Sequence, residues 1–474
     1  MINYKQEQRK VLFFTSITEF GERYSYYVIQ SLLIFFLLDK FHLSQEHSAS
    51  LVGTALGMIY ISSIIGGYIA DKLLGAYPSA ILGCIIMSSG CFILTMSSHI
   101  NLLYLGLALI SISTGLIKSN MSTFLGQFYD QVKLPITSRE GGFYLFYVGI
   151  NCGSLFALFF ASLLKDHYGF AVPFYSSLII MLLITINLIY GYFKLTNYIK
   201  FNCSIAKIIT TILLILAYIG LVVITLMFDR LAQLVIMIAS IACCIVLIKS
   251  AQKKYWYKVA FATLFFVLSI IYWSIYFQTF ISLLIFIDKC VNHQLLAFNC
   301  ASSQFLAIES VGVITIGMVI GKLWKYLSAK NIKIYAIDKF NFGFIGLALM
   351  FLIIYLAIHF SATNTLISGW IIVLAMLIAS ISELCLSAVG LSLITKLAPE
   401  GYVSLYMGIW LVTLGIGGKL AGFLSSDIII ADNLPIAKHN MAYGCGKFIL
   451  LALIASIVCW CFRKLAIRYA HLMD

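Results

Sequence analysis

Apolar runs long enough to cross a bilayer recur fourteen times along this chain, and that repetition leaves few folds open. They fall at about 11–38, 48–70, 77–97, 101–125, 140–164, 170–194, 205–228, 231–249, 257–287, 304–326, 339–360, 366–396, 406–425 and 443–463, each near the roughly 20 residues a helix needs to span the hydrocarbon. Runs this long and unbroken are helices, because a barrel strand is about half that length and alternates in polarity. Composition agrees. With 62% hydrophobic residues, 10% charged and 5 Pro in 474, the chain lies far from the globular norm of about one quarter charged. The expectation is an all-α integral membrane protein.

The formal charge of +13 invites a nucleic-acid reading until its placement is checked. With a cytoplasmic N-terminus, 22 Lys and Arg fall on the inner side, among them Lys5, Arg9, Lys10, Lys253, Lys254, Lys258, Lys322, Lys325, Lys330, Lys333, Lys339, Arg463, Lys464 and Arg468. The outer side holds 6: Lys40, Lys165, Arg230, Lys289, Lys438 and Lys447. That bias orients the chain with both ends inside, which needs an even number of crossings. Lys10 leads straight into a long first span, so the N-terminus does not read as a cleavable signal.

Three cations remain inside spans: Arg23, Lys118 and Lys419. Charges within the membrane are costly and by default mark function. Glu19, Glu22 and Arg23 share one face of the first helix by spacing, and that face cannot point at lipid. If the first and fourth helices pack together, Lys118 joins them and the four charges sum to zero. A purely structural ion-pair cluster is the alternative reading. Lys419, near an outer span end, reads as a snorkelling side chain.

Six spans precede a pair at about 205–249 that has no intramembrane charge, and six follow. The expected organisation is a six-helix bundle at 1–199, an inserted lipid-facing hairpin with linkers at 200–256, and a second six-helix bundle at 257–474. Two halves with a site at the midplane are what alternating access requires. Of twelve cysteines, most sit in spans as small apolar packing, including Cys84, Cys91, Cys243, Cys244, Cys385, Cys459 and Cys461. Cys290 and Cys300 share an outer loop, where a disulfide and two free thiols are equal readings. No metal-ligand spacing and no nucleophile with a neighbouring His stands at a span end, which argues against a membrane enzyme, and the His residues lie at loops or span ends.

These residues also carry a family likeness. Glu19-Phe-Gly-Glu22-Arg23 with Tyr26 and Tyr27 resembles the first-helix signature of the proton-coupled oligopeptide transporter family within the major facilitator superfamily. Gly66 to Lys72 with Gly75 is similar to the turn after its second helix, Gly115 to Lys118 with Gln127-Phe128 to its fourth helix, and Phe146 to Ser154 to its fifth. Trp273 and Gln278 resemble the seventh helix, Glu383 to Pro399 the tenth, and Met407 to Trp410 the eleventh. Bacterial members of that family also carry a helical pair between the halves.

The resemblance implies a major facilitator fold in a bacterial cytoplasmic membrane, moving di- and tripeptides together with protons, without a cofactor or nucleic acid. By the same resemblance Glu22 is the main proton site. Arg23 and Lys118 lie near the peptide carboxylate, and Asn151 and Glu383 face its amine. Tyr26, Tyr27, Tyr60, Trp273 and Trp410 line side-chain pockets, where aromatic faces add contact without demanding one hydrogen bond. A self-contained bundle points to a monomer.

Three departures from the family pattern stand out. Gln30 and Phe277 occupy the positions of an outer salt bridge, so both ends are missing together and neither strands a charge. Glu309-Ser310 stands where an asparagine and a proline are usual; Glu309 reads as an added proton site, as a determinant for cationic substrates such as Lys- or Arg-containing peptides, or as a structural hydrogen-bonding partner. With Glu19, Glu22, Glu309 and Glu383 set against Arg23 and Lys118, at least one acid is expected to hold a proton. Helix prolines are absent, with Ser63, Ser119, Ser310 and Ala388 in their places, so any bends need another source. A member drifted to another small zwitterion, amine or drug, and a non-transporting peptide sensor, are the competing expectations.

Overall fold

The computed structural model describes residues 4–132, 136–199, 204–252, 255–330, 332, 334–400 and 402–468. Its elements are α1 (Tyr4–Phe35), α2 (Gln45–Tyr68), α3 (Ala76–Thr95), α4 (Ile100–Val132), α5 (Ile136–Tyr168), α6 (Ala171–Lys194), α7 (Ile205–Met227), α8 (Asp229–Ser250), α9 (Trp256–Tyr276), α10 (Ser282–Cys290), α11 (Ser302–Ala329), α12 (Ala336–Phe360), α13 (Gly369–Leu397), α14 (Val403–Ser425) and α15 (Leu434–Arg468). Helices α9 and α10 are one crossing broken by a 3-10 turn at Phe277–Phe280. Among the described residues fourteen long helical segments result, and 13 of them are apolar and long enough to cross a membrane. The fourteenth is α1, whose charges exclude it on composition.

The chain forms two compact units, Met1–Phe41 with Met58–Leu231, and His42–Gly57 with Ala232–Asp474. In the first, close helix crossings are set by glycine. A Cβ at Gly149 would lie 2.7 Å from the Ser16 carbonyl oxygen and one at Gly153 2.4 Å from that of Phe20, so α5 can approach α1 only because both positions lack a side chain. Gly66 and Gly115 do the same for α2 and α4, with Gly66 facing the Gly115 carbonyl at 2.1 Å from its missing Cβ. The paired signatures at 66 and 115 are thus backbone contacts. A π-helical turn, Ile69–Leu74, ends α2 at Gly75, whose φ of 91° suits only glycine.

The inserted pair departs from the expected lipid-facing hairpin. On α8 Ala232, Leu247 and Ser250 are the buried residues. On α7, however, Thr211, Ile215, Tyr218, Val222, Thr225 and Leu226 form a buried stripe at three- and four-residue spacing. Its centre is Tyr218, which donates to the Met58 carbonyl and lies 3.3 Å from the Ser111 hydroxyl on α4. A phenol in a membrane helix needs such partners, and they dock α7 on the first unit.

In the second unit, α9 breaks without a proline. Gln278 donates to the Ser274 and Ala421 carbonyls at 3.1 and 3.0 Å and accepts from the hydroxyls of Ser282 and Ser425, so one amide satisfies the broken turn and ties it to α14. Ser119, on α4 of the first unit, donates back to the Gly115 carbonyl at 2.9 Å, a bond that bends helices. Beyond α10, two-residue strands pair Val291 with Ile367 and Gln294 with Asn299. Cys290 and Cys300 in this region are both free thiols, which excludes the loop disulfide.

Candidate functional site

Eight of the residues singled out in the sequence lie in the first unit. Helix α1 carries Glu19, Glu22, Arg23, Tyr26 and Tyr27, α2 carries Tyr60, α4 carries Lys118 and α5 carries Asn151. Glu19 and Glu22 are 1% and 0% exposed, and Arg23 is buried with them. The Arg23 guanidinium grips Glu22 through two nitrogens, Nη2 to Oε1 at 2.5 Å and Nε to Oε2. Such a fork fixes geometry as well as charge. The Tyr26 ring lies 4.4 Å from the guanidinium carbon, and Tyr27 meets Tyr26 edge to face at 5.1 Å.

Glu19 is held differently. Both its oxygens are buried and accept no hydrogen bond among the described residues, while Glu22, Arg23 and Lys118 act on it electrostatically. Lys118 lies 5.0 Å above the Tyr60 ring. The two acids on one helix turn are therefore not equivalent: one is forked to a cation and the other waits without a donor. Asn151 is buried with its amide donating to the Tyr147 carbonyl one turn back at 2.9 Å. Gln30 is buried in the same unit.

The second unit holds Trp273 on α9, Glu309 on α11, Glu383 on α13 and Trp410 on α14. Glu309, 5% exposed, accepts from the Tyr276 hydroxyl at 2.5 Å. Tyr276 was not among the residues the sequence marked; its signal was only its place, one turn after Trp273, among 28 tyrosines. Phe277 is buried and packs on Trp273 at 5.4 Å. Trp410 lies over the site of a Cβ at Gly390, at 2.2 Å, so that glycine seats the indole.

Lys419 corrects its reading as a snorkelling side chain. It is 8% exposed, and its ammonium donates to Ser50 and Thr54 on α2, both at 2.9 Å. Those hydroxyls reach it because Gly53 faces the Gly418 carbonyl at 2.8 Å and Gly422 faces that of Ala49 at 2.5 Å from their missing Cβ atoms. Asp71 and Lys72 are exposed at the π-helical turn. Among the described residues no group of three metal-ligating side chains converges.

Long apolar helices crossed through glycine, with carboxylates and cations held inside them, define a polytopic membrane carrier. Known proteins place it further. The chain matches the POT family over residues 79–433 and belongs to that family. It is 28% identical over 467 residues to dipeptide and tripeptide permease B of Salmonella typhimurium, covering 95% of this chain and 94% of that protein. It is 26% identical over 462 residues to dipeptide and tripeptide permease A of Chromobacterium violaceum, covering 95% and 92%. Among solved structures, that of tetrameric PepTSo2 aligns with a TM-score of 0.86 at 20% identity, over 97% of this chain and 99% of that one. The peptide transporter POT in complex with sulfate aligns at 0.84 and 24% identity, over 98% and 96%. The fold is that of the major facilitator transporters in this family.

Proposed function

We propose that the protein imports di- and tripeptides across the bacterial cytoplasmic membrane, each carried with protons by alternating exposure of its binding residues. The observation that carries this reading is the buried fork of Arg23 on Glu22 beside Glu19 and Lys118. A proton on Glu22 neutralises the carboxylate that holds the guanidinium, and the released Arg23 can take a substrate carboxylate in its place. Proton and peptide then exchange for one another at a single cation, which is a coupling free energy between two ligands. Family membership and the permease relatives support the substrate class.

In the first unit, Glu19, Glu22, Arg23 and Lys118 serve proton coupling, Arg23 and Lys118 receive the carboxylate, and Tyr26, Tyr27, Tyr60 and Asn151 contact the peptide. In the second, Glu309 and Glu383 serve its amine and the proton, while Trp273 and Trp410 contact side chains. The excess of inner Lys and Arg supports cytoplasmic termini. One chain carries all of these groups, so the monomer is the proposed transporting unit.

Uptake of a labelled dipeptide into proteoliposomes tests the function. Accumulation under an imposed inward proton gradient, abolished by a proton ionophore, is expected. Binding without accumulation would make the protein a sensor, and neither would mean a different substrate.

A further inference from the structure

The acids of the second unit have their own supporting structure. Glu309 is buried on α11 and within electrostatic reach of Glu383 on α13, with Tyr272 beside both. Two carboxylates ionised together in a medium of low dielectric repel strongly, and one proton shared between them removes the repulsion. Among the described residues, the titratable and charged groups that act on them or on their neighbours include Tyr272 and Tyr276 on α9, Cys385 on α13, and Lys339 on α12, which acts on Cys385.

The tyrosines divide the work. Ser382 donates to the Gly343 carbonyl at 2.6 Å, which leaves its oxygen to accept from the Tyr272 hydroxyl at 2.9 Å. Tyr272 is thereby committed, and its ring stacks on Tyr276 at 6.0 Å and 18°, steadying it. Tyr276 turns its hydrogen to Glu309. A second observation points to a ligand. The indole Nε1 of Trp273 is buried, has no acceptor among the described residues, and belongs to a ring 5.1 Å from that of Tyr276. A buried donor without an acceptor is costly, and a carbonyl brought by a ligand would satisfy it. A group that carries an ammonium next to a carbonyl, as the first residue of a peptide does, offers a counter-charge to the acids and an acceptor to Trp273 at once.

We propose that Glu309 and Glu383 hold one proton between them, as a coupling site separate from Glu19, Glu22 and Arg23, and that the ammonium of an arriving substrate takes that proton's place. Tyr276 is the positioning residue that fixes Glu309. The exchange of proton for ammonium rests on the peptide-transport reading, whereas the shared proton does not.

Infrared difference spectroscopy of the purified full chain, titrated with acid and base in the absence of ligand, reads protonated carboxyls directly. The wild type is expected to show one C=O stretch of a protonated carboxyl that E309Q lacks, and Y276F is expected to shift the titration of that same band. Saturating alanyl-alanine should abolish the band in the wild type. Equal bands in the wild type and E309Q would overturn the shared proton, an unmoved titration in Y276F would overturn the role of Tyr276, and a band that persists with dipeptide bound would overturn the exchange. If no dipeptide binds, the assigned function fails and the exchange with it, while the band in ligand-free protein decides the shared proton by itself. Intrinsic fluorescence melting of both variants checks that they fold.

Discussion

Arg23 forks onto Glu22, its immediate neighbour in the chain, with Nη2 2.5 Å from Oε1 and Nε on Oε2. Adjacent helix positions do not ordinarily face one another, so both long side chains must bend to the same side. The close approach of α5 closes the other route, since a Cβ at Gly153 would lie 3.1 Å from that of Arg23. The Tyr26 ring covers the guanidinium.

Replacing the fork by a point charge tests its geometry. R23K keeps the positive charge but loses one of two charge-assisted bonds, which is worth about 1.5–3 kcal/mol. Its melting temperature should fall and gradient-driven uptake should drop sharply. Uptake at the wild-type rate would mean that charge alone suffices at position 23.

Gly153 should tolerate nothing larger. A methyl there meets the Phe20 carbonyl at 2.4 Å, and backbone cannot swing aside as a side chain can. G153A is expected to destabilise by about 1–3 kcal/mol, the usual cost of overpacking. G141A, whose added methyl would meet nothing within 4 Å, is the control. Thermal unfolding of the two purified variants distinguishes them.

Lys419 predicts an asymmetry. K419M removes a buried ammonium and leaves Ser50 and Thr54 free to bond carbonyls of their own helix, as Thr54 already does with Ser50 at 2.9 Å. The double change S50A/T54V instead keeps the ammonium and strips two of its acceptors, at about 1–3 kcal/mol for each group left unsatisfied. The hydroxyl variant should therefore melt lower than K419M, and the reverse order would contradict the placement of Lys419.

Much of this arrangement was legible before any coordinates. Hydropathy located the fourteen crossings, because a bilayer requires about twenty apolar residues regardless of tertiary detail. It located α1 too, although Glu19, Glu22 and Arg23 take that helix below the apolar norm. Partnership was not legible. Spacing put Glu19 and Glu22 on one face, but only packing makes one forked and the other without a donor. Lys419 read as snorkelling because nothing local to it announces Ser50 and Thr54, some 365 residues earlier in the chain. The Gly53 and Gly57 pair beside those hydroxyls was the available clue, since glycines four apart mark close helix crossings. The buried stripe of α7 escaped because nearly every residue of that helix is apolar, which hides a seam.

The two outer thiols give a covalent check. Cys290 is buried and Cys300 partly so, and burial pushes the Cys300 thiol up from its ordinary range. Thiolate being the reactive form, Cys300 should alkylate slowly near neutral pH. Intact mass should be unchanged by reductant, and a gain of two hydrogens on reduction would contradict the two free thiols.

In the proposed mechanism Glu22, through Arg23, ties proton movement to peptide movement. Proteoliposomes containing E22Q, assayed in parallel for gradient-driven accumulation of a labelled dipeptide and for its exchange against unlabelled dipeptide without a gradient, measure the two halves separately. The prediction is exchange retained and accumulation lost. Accumulation by E22Q at the wild-type level, still collapsed by a proton ionophore, would contradict it.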